Sequence, residues 1–186
     1  MATFGWCRIV EDDNLEFVPT QVGFYSTARR KSLAASDDLM ERSNQLTDWV
    51  WGLLSDEEPD FVVAEAFSAP RHASSAAKLT AGYVITLTAC RMLQIPFLQI
   101  RRTVVLDHFG IERKARGARK RREEIKKNVL ALVADRWALV PGFPNAKAKK
   151  EHPADALVTG LAAVAQGNFP LRLRSARDDN AVVLVE

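Results

Sequence analysis

Apolar and polar positions alternate from Gly5 to Val10, break at Glu11-Asp12-Asp13-Asn14, and resume from Leu15 to Val18. Period-two alternation on both sides of a polar turn predicts a β-hairpin, and Val22 to Tyr25 can extend the same sheet. The period then changes. Leu39, Leu46, Trp49, Val50 and Leu53 share one helical face, with Ser36-Asp37-Asp38 as an N-cap cluster and Asp56-Glu57-Glu58-Pro59 as the stop. Phe61 to Ala66 is a nearly continuous apolar run, the signature of a strand buried on both faces. Ser74 to Leu93 reads as a helix and Pro96 to Ile100 as a second buried strand. Arg119 to Trp137 follows as an amphipathic helix, with Ile125, Val129 and Leu132 at helical spacing. After a polar loop from Pro141 to Lys150, the segment Pro153 to Gln166 is helical, with Pro153 in its first turn. The pattern is that of an α/β layered domain with a mixed sheet flanked by helices. It covers residues 1–170, and 171–186 form a C-terminal tail holding a short strand, Val182 to Val185.

Composition is compatible with that picture. One domain suits 186 residues, and 47% hydrophobic residues are ample for a core. No apolar run approaches the roughly 20 residues of a membrane helix, and Met1 to Trp6 lacks the pattern of a secretory signal. Cys7 and Cys90 are far apart in apolar surroundings, which suits reduced core residues in a reducing, cytoplasmic setting. Trp6, Trp49 and Trp137 fit the core. Trp51, out of phase with that stripe, fits the surface or a subunit contact.

Charge alters the picture more. The net charge is only +3, but Arg113 to Lys127 holds nine Lys/Arg against two Glu. The block contains Arg113, Lys114, Arg116, Arg119, Lys120, Arg121 and Arg122. A block of this kind either recognises a polyanion or forms a solvated basic face.

The candidate chemistry lies in two short motifs. Glu65 is the one acid in Phe61-Val62-Val63-Ala64-Glu65-Ala66-Phe67-Ser68, and a carboxylate at the end of a buried strand needs a cation beside it. His152 and Asp155 are three apart where an apolar helix begins, so both can face one point. An acid on a strand with His-x-x-Asp at a helix start suggests a divalent-metal site for phosphate chemistry. Each residue also has a structural reading. Glu65 can pair with a nearby arginine, His152 can be a solvated helix-start residue, and Asp155 can be a first-turn acid favoured by the helix dipole.

With these residues in this order, the chain resembles the RuvC-type Holliday junction resolvases of the RNase H-like superfamily. Val62-Val63-Ala64-Glu65-x-Phe67, Ala77-Lys78-Leu79-x-x-Gly82 and His152-x-x-Asp155-Ala156 carry the resemblance. Ala118-Arg119-Lys120 with Glu124-Ile125 looks like the family's basic stretch, where Arg122 can equally take the lysine's place. The resemblance implies an RNase H-like fold and a metal-dependent endonuclease that nicks branched DNA, a four-way junction, by two-metal hydrolysis with Mg²⁺ or Mn²⁺. It implies Glu65, His152 and Asp155 as metal ligands, with Lys120 or Arg122 at the scissile phosphate and the other basic residues on the DNA backbone. A homodimer would give two symmetric nicks, the process would be DNA recombination and repair, and a stand-alone enzyme of this kind would suit a phage. The family's first strand ends in Asp-x-Gly, followed by Thr-Gly-Trp or Thr-Gly-Tyr. Thr3-Phe4-Gly5-Trp6 looks like that follow-on, which puts the first strand and its Asp upstream of Met1. Two alternatives stand beside the nuclease: a non-catalytic module that holds structured DNA, and a relative acting on structured RNA. His72, Phe67 and Phe109 are further candidates for nucleic-acid contact.

Overall fold

The computed structural model describes residues 2–66, 73–112, 117–144, 150–167 and 180–185. Strands β1 (Ala2–Glu11) and β2 (Phe17–Thr27) form one long antiparallel hairpin, followed by helix α1 (Ala35–Glu57) and strand β3 (Phe61–Glu65). Helix α2 (Ala73–Met92), strand β4 (Phe97–Ile100), a short helix α3 (Arg102–His108) and helices α4 (Ala118–Arg136) and α5 (Glu151–Ala165) come next. Strand β5 (Asn180–Val185) ends the described chain.

The five strands make a single mixed sheet in the order β2-β1-β5-β3-β4. β5 is antiparallel to β1, pairing Gly5 with Val185, and parallel to β3, pairing Ala64 with Leu184. β3 and β4 are parallel, with Glu65 opposite Ile100. The strand expected inside the tail is therefore the middle strand of the sheet. It also fills β1's second edge, the place a preceding hairpin strand would take.

Alternation along the strands divides the core into two layers. Phe61 and Val63 of β3, with Cys7, Ile9 and Val22 of the hairpin, pack against α3, α4 and α5. Val62 and Phe4 face the other way, onto Leu46, Val50 and Leu54 of α1 and Ala89 and Cys90 of α2. Phe61, Val62, Val63 and Ala64 are all buried, as a strand covered on both faces requires. Both cysteines are buried and free, and burial pushes their thiols up, Cys90 to about 12. Trp6, Trp49 and Trp137 pack against the core, and Trp51 is exposed.

Three local features differ from the sequence pattern. Ser36-Asp37-Asp38 does not cap α1, which starts at Ala35 with no side-chain cap bond. Asp38 is instead buried one turn in, accepts the Arg30 N–H at 2.7 Å and pairs with Arg42 at 3.0 Å. The buried stripe of α4 is Ile125, Val129 and Val133, with Leu132 only partly covered. Helix α3 has too few residues to show a period and was not expected.

Candidate carboxylate site

The parallel strands β3 and β4 end, and α5 begins, at one place in the fold. β3 stops at Glu65, β4 stops at Ile100 and hands the chain directly to α3, and α5 starts at Glu151. α5 reaches this place because Gly5 lets it. A Cβ on Gly5 would lie 2.0 Å from the His152 carbonyl oxygen, so the helix start rests on bare β1 backbone. The remainder of α5 is held by its apolar positions, with Ala154, Ala156, Leu157 and Ala162 fully buried.

Glu65 and Asp155 are brought together here by a residue that the motifs did not single out. Arg102, the first residue of α3, donates from Nη1 to Glu65 Oε2 at 2.9 Å, and its Nη2 lies 3.5 Å from Asp155 Oδ1. One guanidinium thus ties β3, α3 and α5. The three side chains keep 24%, 36% and 17% of their surface for Glu65, Arg102 and Asp155. Burial pushes the Glu65 carboxyl above the usual carboxylate range, and the Arg102 charge pulls it part of the way back. Asp155 is raised in the same way, burial first, with Arg102, His152 and Lys126 opposing. Burial works against the Arg102 charge, but Asp155 and Glu65 outweigh it and raise its pKa.

His152 sits in the first turn of α5, half-buried, one turn before Asp155. Its pKa is lowered by burial, against the pull of the Asp155 carboxylate and with a push from Lys126. Lys126 of α4 forms an ion pair with Glu151, which fixes α4 against the start of α5. The sequence pattern singles out neither as a site residue; Lys126 is one of the nine cations of the basic block. Lys126 lies on the same helix as the proposed Lys120, but nearer the carboxylates.

The other basic candidates divide by position. Arg119, Lys120, Arg121 and Arg122 occupy the first turns of α4 and are all exposed. Arg119 pairs with Glu123 one turn on. Arg113, Lys114 and Arg116 lie outside the described residues, as do Phe67 and His72. Phe109 is not an exposed stacking surface, since it packs edge-on against Trp137 in the core layer of α3 and α4.

Two carboxylates, with water completing the shell, are a donor set of the kind that holds Mg²⁺ or Mn²⁺. Among the described residues no three His, Cys, Asp or Glu side chains converge. The donors present are hard oxygens with excess negative charge over the single arginine, and they fit such an ion.

Solved structures with a similar fold include two of RuvC from Thermus thermophilus. A Thermus thermophilus RuvC structure in complex with Holliday junction substrate superposes with a TM-score of 0.62, covering 95% of this chain and 93% of that chain at 16% identity. The fold is that of RuvC. A second Thermus thermophilus RuvC structure matches with a TM-score of 0.61 at 19% identity, covering 89% of this chain and 90% of that one. No protein-family model matches the sequence, and no curated protein matches it either. The mixed-sheet α/β architecture expected from the sequence is thus present in one layered unit, and the similarity to RuvC spans nearly the whole of both chains.

Proposed function

We propose that this chain is a metal-dependent endonuclease acting on branched DNA. The observation that carries the reading is the meeting of Glu65 and Asp155 at the end of β3 in a RuvC-like fold. One of the similar structures holds a Holliday junction, which makes a four-way junction the first substrate to test.

In this reading Glu65 and Asp155 hold a divalent ion, Mg²⁺ or Mn²⁺, with His152 beside them. When bound, the metal would stabilise charge on the phosphate and lower the pKa of an attacking water. The chain's own residues do the rest. Asp155 and Glu65 hold their ligand oxygens on rigid elements, a helix start and a strand end. Burial keeps His152 neutral near neutral pH, so its ring can accept a proton from water or donate a nitrogen to the ion. Glu186 follows Val185 in the sequence; it lies outside the described residues and is the candidate for a third carboxylate. Arg119, Lys120, Arg121 and Arg122 on α4 supply phosphate contacts, with Arg113, Lys114 and Arg116 on the segment before it. Two symmetric nicks call for two active sites, which a homodimer supplies.

The second reading, a junction-binding module without cleavage, rests on Arg102. A guanidinium between the two acids already neutralises much of their charge. Cleavage assays with Mg²⁺ or Mn²⁺ separate the two. Nicking of a four-way junction that Asp155→Asn removes, with binding intact, supports the nuclease. Binding with no nicking under either metal supports the module.

A further inference from the structure

The arginine between Glu65 and Asp155 is a better-defined feature than a solvated counter-ion. It starts α3 immediately after β4, so its backbone is fixed by the strand that pairs with β3. It bonds the two acids through different nitrogens, which a lysine's single ammonium could not do with the same geometry. Yet about a third of its side-chain surface is exposed, so the side chain is not enclosed as a core ion pair would be. One positive charge faces two negative ones.

We propose that Arg102 is the resident cation of this carboxylate pair, and that a divalent ion enters only by displacing it. This rests on the reading of Glu65 and Asp155 as metal ligands and adds how their loading is controlled. An ion bonded to both acids would compete with the guanidinium for the same carboxylate oxygens, and the positive charge of Arg102 beside it would oppose its binding. Arg102 therefore has two opposite effects. It stabilises the metal-free protein by offsetting two mostly buried acids, and it weakens metal binding by occupying them. A purely structural ion pair would have the first effect only.

The test is a titration of the full chain with MnCl₂, followed by calorimetry, alongside melting in metal-free buffer. Arg102→Gln is expected to melt several degrees below the wild type without metal and to bind Mn²⁺ at least about tenfold more tightly. One adjacent cation shifts a carboxylate's proton affinity on that scale. Arg102→Lys keeps one charge but cannot bridge both acids, so its Mn²⁺ affinity should fall between the two; it also serves if Arg102→Gln fails to fold. Adding Glu65→Gln to either variant should remove the gain, which assigns the ion to this site. Equal or weaker Mn²⁺ binding in both arginine variants overturns the proposal, as does a gain that survives Glu65→Gln. Because the readout is binding, a protein that never cuts DNA can still uphold the proposal while the nuclease reading falls.

Discussion

Two of the arginine–aspartate pairs among the described residues are built for different ends. Arg42 and Asp38 are one turn apart on α1, with side chains only 9% and 4% exposed. Asp38 also accepts the Arg30 N–H, and Arg42 also donates to the Asp38 carbonyl oxygen. One acid meets one base, both are enclosed, and the pair fastens the chain before α1 to the helix. Arg102 and Asp155 come from different elements, share the site with Glu65 and stay partly open. Here two acids meet one base. The first arrangement is complete as it stands; the second leaves two acids to one arginine and stays partly exposed. The difference lies in charge parity and access rather than in the residue types.

That contrast can be broken most severely at the ligands. Asp155→Asn is expected to lower junction cleavage by about 10³-fold or more, since the metal and its bound water supply most of the rate. Junction binding, measured by gel shift, should change only a few-fold. A similar loss in Glu186→Gln would place that residue with Glu65 and Asp155, and undiminished cleavage would remove it from the ligand set. On α1 the large effect is on stability instead. Asp38→Ala leaves a buried Arg42 without its partner and should cost about 3–5 kcal/mol by urea unfolding, with Mn²⁺ affinity unchanged. If Asp38→Ala proved harmless to stability, or weakened metal binding, the two pairs would not differ as described.

A smaller effect is expected where α5 rests on β1. Gly5→Ala drives a methyl into the His152 carbonyl, and overpacking against backbone should cost roughly 1–3 kcal/mol. Because α5 carries Asp155, Mn²⁺ affinity should fall with stability. A variant as stable as the wild type would show that the helix start can move.

Acidity gives a further test. Glu65 and Asp155 are both raised in the folded chain, burial being the main cause. Between their ordinary and raised values the folded state holds more protons than the unfolded state, so metal-free stability falls as pH rises through that window. Mn²⁺ needs the ionised acids, so its affinity should rise over the same window. His152 is lowered, and its contribution to stability is present above the ordinary histidine value and lost as pH falls below it. Melting curves from acidic to neutral pH, with and without Mn²⁺, check the signs. A metal affinity independent of pH would remove the two carboxylates from the site. The smallest effect belongs to α4. Lys120→Ala should weaken junction binding slightly and lower the salt slope by about one, and an unchanged slope would leave Lys120 off the DNA.

The sequence carried most of the fold because the hydrophobic period changes cleanly between elements. Phe61–Glu65 is apolar apart from Glu65, and α5 beyond Asp155 is apolar apart from Thr159, so Glu65 and Asp155 stood out against their own background. Arg102 did not stand out, since it is one of two adjacent arginines, Arg101-Arg102, and its role comes from where β4 ends. Lys126 was hidden inside a basic run for the same reason. The central position of β5 was also hidden. Six residues at the end of a basic segment give no sign of their partners, and only pairing with both β1 and β3 reveals them. Asp38 misled in the opposite direction, looking like a cap while its carboxylate was turned inward to Arg42.

The measurement that tests the central claim most directly is cleavage of an end-labelled synthetic four-way junction with Mg²⁺ or Mn²⁺, using the wild type beside Glu65→Gln. The account predicts paired nicks near the branch point that vanish in the variant while both proteins shift the junction equally on a gel. Nicking that persists in Glu65→Gln, or a wild type that binds the junction and leaves it uncut under both metals, would contradict it.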